Sequence, residues 1–278
     1  MDEALNVDVR VQPDHEAASR MAAELVLGSA AAAGGAAGGP RFSLVLSGGS
    51  TPRRLHELLA QGLTRALALD RVHLFWADER CVPPDDPRSN FGSARAALID
   101  VLAFSPANIH RIRGEEPPET AAAVYAAALQ SFFGSPEPRF DVAILGLGAD
   151  GHTCSLFPGS PALTSSRPVA ASRAPSGVEQ RVTLTPVAFR RCRRAVFLVT
   201  GAEKAAAVAR TLGSARDDAE ESPAAAIRLE AGTVTWVLDE PAAAGLSPAT
   251  GAAAAPAGSA LPGSPPTEIP GGARGRSG

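Results

Sequence analysis

Asp150 and His152 stand two residues apart in Gly146-Leu-Gly-Ala-Asp-Gly-His-Thr153. A carboxylate beside an imidazole supplies an orienter and a general base that can titrate near neutral pH. Elsewhere the chain offers groups that hold an anion. Ser47, Gly48, Gly49, Ser50, Thr51 and Pro52 form a run of small residues. Their backbone can close around a guest, and a helix starting there would add the positive end of its dipole. A phosphate is the natural occupant. Arg80 follows one apolar run and Arg181 opens another, so both can point into the same cleft edge. All but one of the 26 basic residues are arginine, and the exception, Lys204, begins a helix. A cation is disfavoured there unless an anion is near. The run from Ser47 to Pro52 has neither the Gly-Lys-Ser/Thr ending of a P-loop nor a Gly-x-Gly-x-x-Gly turn, which disfavours a nucleotide in it.

These residues need elements to bring them together. Leu5 to Val11 alternates in polarity and reads as a half-buried strand. Asp14 can cap a helix running to about Ala33, which Gly34, Gly35, Gly38, Gly39 and Pro40 would end. Phe42 to Leu46 is the next strand, and a helix to about Leu63 follows the small-residue loop, with Pro52 suited to its first position. Val72 to Ala77 is a strand, Asn90 to Leu102 a helix, Ile109 a brief strand and Thr120 to Phe133 a helix. The apolar run Val142 to Leu145 leads into the loop bearing Asp150 and His152, with Gly146, Gly148 and Gly151 permitting its tight turns. Arg181 to Thr185, Ala195 to Val199 and Thr233 to Leu238 complete the strands, and an alanine-rich helix follows Lys204. Strands alternating with helices predict an α/β fold: a mostly parallel, doubly wound sheet with helices on both faces, in a single domain over residues 1–240. In such sheets ligands bind at the carboxyl ends of the strands, where the Asp150 loop emerges. Of the 38 residues from Pro241 to Gly278, 30 are Ala, Pro, Gly or Ser, the composition of a disordered tail.

Composition narrows the function. A chain of 278 residues that is 45% hydrophobic can bury a sizeable core. A formal net charge of -3 gives no field for nucleic acid or an acidic membrane. No apolar run approaches the ~20 residues that cross a bilayer. The N-terminus opens acidic, without a basic and apolar leader, so the expected location is the cytoplasm. Cys81, Cys154 and Cys192 are an odd number without metal-type spacing, as suits reduced thiols. His152 and Cys154 resemble half a zinc site but lack a second pair, and no metal or cofactor is expected.

Five ordered blocks identify a resemblance. They are Ser47-Gly-Gly-Ser-Thr-Pro52; Trp76-Ala-Asp-Glu-Arg80 with Ser89-Asn90; Gly146 to Thr153 with Ser155-Leu-Phe-Pro158; Arg181-Val-Thr-Leu-Thr-Pro186; and Gly201-Ala-Glu-Lys204. Over roughly residues 5–240 the chain resembles the 6-phosphogluconolactonases, within the broader superfamily that includes glucosamine-6-phosphate isomerases and deaminases. The resemblance implies hydrolysis of 6-phosphoglucono-δ-lactone to 6-phosphogluconate, in the oxidative branch of the pentose phosphate pathway. It implies that Ser47, Gly48, Gly49, Ser50, Thr51, Arg80, Arg181 and Lys204 hold the substrate phosphate. His152 would activate water, with Asp150 nearby. Loop N–H groups are the expected oxyanion donors. The sister isomerases and deaminases resemble Gly-His-Ile-Gly-Phe-Asn-Glu-Pro at this site, where this chain reads Gly151-His-Thr-Cys-Ser-Leu-Phe-Pro158 and carries no glutamate. Cys154 departs from the small residue expected of the family, and the tail has no counterpart in it. A noncatalytic sugar-phosphate sensor would not need His152. A monomer is favoured.

Overall fold

A computed structural model of the chain describes residues 6–33, 41–213 and 222–246; the side chain of Ser50 also lies outside the described part. Among these residues one sheet is built of β1 (Val7–Gln12), β2 (Phe42–Leu46), β3 (Val72–Trp76), β5 (Ile109–His110), β6 (Val142–Leu145), β9 (Arg194–Val199) and β10 (Thr233–Asp239). These seven strands lie in the order β1-β10-β9-β6-β2-β3-β5, and every pairing is parallel. The helices among the described residues are α1 (His15–Ala33), α2 (Ser50–Ala66), α3 (Asn90–Ala94), α4 (Asp100–Leu102), α5 (Pro118–Phe133), α6 (Pro186–Phe189) and α7 (Ala205–Leu212) between the strands, and α8 (Glu240–Ala243) after β10.

Strands β2, β3 and β6 are apolar runs buried at nearly every position, which requires cover on both faces of the sheet. Ring contacts along β3 identify part of that cover. His73 and Phe75 pack on Phe132 of α5, while the next residue, Trp76, packs on Phe91 of α3. Successive side chains of a strand point to opposite faces, so α5 and α3 lie on opposite sides. The fold is a single α/β domain with a parallel, doubly wound sheet, as its alternating pattern predicts.

Several elements differ from the sequence reading. Helix α2 begins at Ser50, not Pro52, with Gly49 at its N-cap holding φ of 111°. Pro52 thus sits within the first helical turn, where its missing N–H leaves no bond unmade. The helix expected over 90–102 is interrupted: α3 passes through a π turn (Arg95–Ile99) into α4. The strand expected at 181–185 does not join the main sheet. As β8 (Gln180–Leu184) it lies between β4 (Asp78–Arg80) and β7 (Val169–Arg173) in a separate three-stranded antiparallel sheet. Only Ala77 separates β3 from β4, so a single stretch of chain passes from the large sheet into the small one. The last helix, α8, crosses the expected domain boundary at residue 240: Ala242 is fully buried, and Leu246 packs against the core. The breakers at Gly34 to Pro40, Leu5 and the tail from residue 247 onward lie outside the described residues.

Candidate functional site

The loops at the carboxyl edge of the main sheet, together with β4, β8 and the β7–β8 turn, surround a cleft of about 620 Å³. Ser47, Gly48, Gly49, Thr51, Arg80, Asp150, His152, Arg181 and Lys204 all line it. Thus every expected site residue with a described side chain borders one cavity. Its volume is that of a small-molecule site.

The loop between β2 and α2 is fixed from beneath. Ser47 is buried, and its Oγ donates to the Ile144 carbonyl of β6 at 2.7 Å. That hydroxyl is therefore committed to the neighbouring strand, not turned to a ligand. A Cβ on Gly48 would fall 1.7 Å from Oδ1 of Asn90, so only glycine fits. The start of α2 borders the cleft, and its dipole favours a negative guest.

Arg80 and Arg181 are paired residues in the β4–β8 ladder. Like charges opposite one another in an antiparallel pair are destabilising. The Arg80 Nη1 donates to the Arg88 carbonyl at 2.5 Å, and its Nε is buried without a partner among the described residues. Arg181 Nε donates to the Val178 carbonyl at 2.6 Å. Burial, followed by the neighbouring Arg80 charge, pulls the Arg181 guanidinium below its usual range. An anion between the two would relieve both the repulsion and the unmet donor. Lys204 ends a short helical turn (Ala202–Lys204) that follows β9 and completes the cationic wall.

In the loop after β6, Asp150 Oδ1 accepts the His152 backbone N–H at 3.1 Å and meets the imidazole Nδ1 at 2.6 Å. A Cβ on Gly148 would lie 2.1 Å from that Nδ1 and 2.5 Å from the carboxylate oxygen, so glycine makes room for the pair. Burial works against ionisation of Asp150, but the hydrogen bonds and charge of His152 outweigh it and hold the carboxyl below its ordinary pKa. With an ionised acceptor on Nδ1, the Nδ1–H tautomer is favoured and Nε2 is left as the base. The ring leans on Phe157 at 4.8 Å. Loop N–H groups are the expected oxyanion donors, and two in this loop are already engaged: Gly148 donates to the His152 carbonyl and Gly151 to that of Gly148. Cys154 holds a left-handed φ of 53°, and burial pushes its thiol well above the ordinary range, keeping it protonated.

The sequence reading assigned no role to Asp78, Asn90, Ser155 or Thr200, all of which line the cleft. Asp78 accepts from Ser155 Oγ at 2.5 Å and from Asn90 Nδ2 at 3.1 Å, tying β4 to the start of α3 and to the loop after β6. Glu79, buried beside it, receives the Asn90 and Phe91 N–H groups at the start of α3. Asp78 could have been suspected, since it follows an apolar strand and stands two residues before Arg80. Among the described residues, no group of three or more His, Cys, Asp or Glu side chains is arranged to hold a metal, and no helix is long and apolar enough to cross a membrane.

Residues 13–236 match the model of the family described as glucosamine-6-phosphate isomerases/6-phosphogluconolactonase. The chain is 42% identical over 214 residues to the human 6-phosphogluconolactonase, covering 73% of this chain and 80% of that one. It is 39% identical over 210 residues to a 6-phosphogluconolactonase of Synechocystis, covering 74% and 85%. The crystal structure of 6-phosphogluconolactonase from Leishmania guyanensis superposes with a TM-score of 0.74 at 28% identity, covering 86% of this chain and 98% of that chain.

Proposed function

This chain belongs to the glucosamine-6-phosphate isomerase/6-phosphogluconolactonase family, and we propose that it hydrolyses 6-phosphoglucono-δ-lactone to 6-phosphogluconate. The observation carrying this reading is the Asp150–His152 pair in the same cleft as two register-paired arginines and a helix start. The first group performs chemistry and the second holds a phosphate.

The geometry supports the following steps. The His152 Nε2 takes a proton from water as the oxygen adds to the lactone carbonyl. The tetrahedral intermediate then collapses, the bond to the ring oxygen breaks, and the imidazolium returns the proton to that oxygen. Asp150 stabilises the transient imidazolium through Nδ1. General acid–base action of this kind is typically worth ~10²–10⁴-fold. The backbone of the 47–52 loop, Thr51, Arg80, Arg181 and Lys204 grip the phosphate, and that remote binding energy orients the carbonyl against the water. Ser47 contributes backbone, not its hydroxyl. The residues that carry these steps need no cofactor. We assign the reaction to the oxidative branch of the pentose phosphate pathway and the protein to the cytoplasm, as a monomer with no nucleic-acid or membrane partner.

The deaminase alternative is disfavoured because the loop from Gly151 to Pro158 has no glutamate. Proton release from freshly prepared 6-phosphoglucono-δ-lactone should accelerate with purified protein, above the spontaneous rate. Ammonia release from glucosamine 6-phosphate should be absent. Ammonia release without lactonase activity would overturn the assignment.

A further inference from the structure

His15 opens α1 and is not among the residues lining the cleft, yet it connects to two that are. Its Nδ1 lies 3.1 Å from Thr200 Oγ1, which lies 3.4 Å from Thr51 Oγ1. We propose that His15 is a positioning residue that turns the Thr200 and Thr51 hydroxyls toward a phosphate in the cleft, a proposal that rests on the phosphate-binding reading above.

The argument is a count of protons. Each threonine hydroxyl has one proton to donate and two lone pairs, whereas a phosphate monoester near neutral pH is chiefly an acceptor. If His15 Nδ1 accepted, the Thr200 proton would point back to the imidazole. The Thr51 proton would then be drawn to Thr200, and neither would reach the ligand. If Nδ1 carries the proton and donates, it fills a lone pair of Thr200 and leaves both hydroxyl protons free for the cleft. A phosphate therefore selects the donating state of His15. The turn bearing Thr200 is itself pinned: the Gly201 N–H donates to both carboxylate oxygens of buried Asp239 at 3.0 Å. Fixing the hydroxyl's orientation is what remains for His15 to do.

Three substitutions place different atoms near the position of Nδ1. His15→Asn puts an amide donor there, His15→Leu a methyl group, and His15→Asp an acceptor. The Leu variant should raise KM for the phosphorylated lactone ~10-fold, the effect of losing a hydrogen bond to a charged group, with kcat within about twofold, the signature of lost uniform binding. The Asp variant should be worse than Leu, and Asn should be close to wild type. KM for unphosphorylated glucono-δ-lactone should not change. The same order should hold for the Kd of inorganic phosphate measured by calorimetry. That arm does not depend on turnover, so it still tests His15 if the protein proves not to be a lactonase. If Leu binds phosphate as wild type does, or Asn fails as badly as Leu, the proposal is wrong. Equal losses on both lactones would likewise show His15 to be a packing residue. Should Leu prove unstable, the comparison of Asn with Asp decides on its own.

Discussion

A single carboxylate oxygen does two things in the cleft: Asp150 Oδ1 holds both the backbone N–H and the ring nitrogen of His152. The imidazole is therefore set in rotation and tautomer before substrate arrives, which is what a base needs if Nε2 is to meet water. Replacing His152 by Asn keeps a polar group of similar size but removes the proton acceptor. The variant should bind 6-phosphogluconate by calorimetry much as the wild type does and lose ~10²–10⁴-fold in kcat. Turnover near the wild-type value would place the base elsewhere. The contact between Asp150 and His152 was legible because the two are close in sequence and their spacing allows local contact. Hydroxyl roles were not. Ser47 and Thr200 look equally available in the chain, yet one is committed to the Ile144 carbonyl and the other faces His15. The partner of a hydroxyl is set by whichever strand or helix is its neighbour in space, which a linear reading does not contain.

Helix α2 presents Thr51 to the cleft at its start and, five residues on, buries His56 completely, with no partner among the described residues for either ring nitrogen. Burial depresses the His56 pKa from 6.5 to about 4, so it is folded as the neutral form. The unfolded chain takes up this proton as pH falls below 6.5 and the folded one only near 4. Stability is therefore full above 6.5, falls with pH between the two values, and levels off below 4. Between pH 7.5 and 5 the residue should account for about 2 kcal/mol of lost stability. In His56→Leu, urea unfolding should show a shallower loss over that interval, together with higher stability at pH 7.5, since two unmet polar atoms are gone. Parallel pH slopes for the two proteins would exclude His56 as the cause. The long elements were readable because continuous apolar runs such as β2, β3 and β6 have one natural fate in this fold class. Strands β4 and β7 were not. Asp78-Glu-Arg80 carries no apolar residue, and Val169-Ala-Ala-Ser-Arg173 carries only small ones beside its valine. They are strands because β8 lies between them, a tertiary circumstance that local propensity does not encode.

For the molecule as a whole, the end of the domain matters to the cleft. Asp239 accepts the Ala242 N–H of α8 with one of the carboxylate oxygens that hold Gly201, so cutting the chain after Glu240 would loosen the turn bearing Thr200 and Lys204. Truncation after Leu246 instead should leave the melting temperature and lactonase rate nearly unchanged, because the remaining Ala/Pro/Gly/Ser sequence has little to bury. A clear fall in either quantity would show that those residues dock on the domain. The parallel sheet also has a history as well as a shape. Among the described residues, β1 is the first strand in chain order and pairs only with β10, the last. While the chain is being made, the earliest strand has no neighbour to join, and β2, β3 and β6 can assemble long before it does. Synthesis runs along the chain in one direction, but this edge of the sheet can form only once both β1 and the much later β10 have been made.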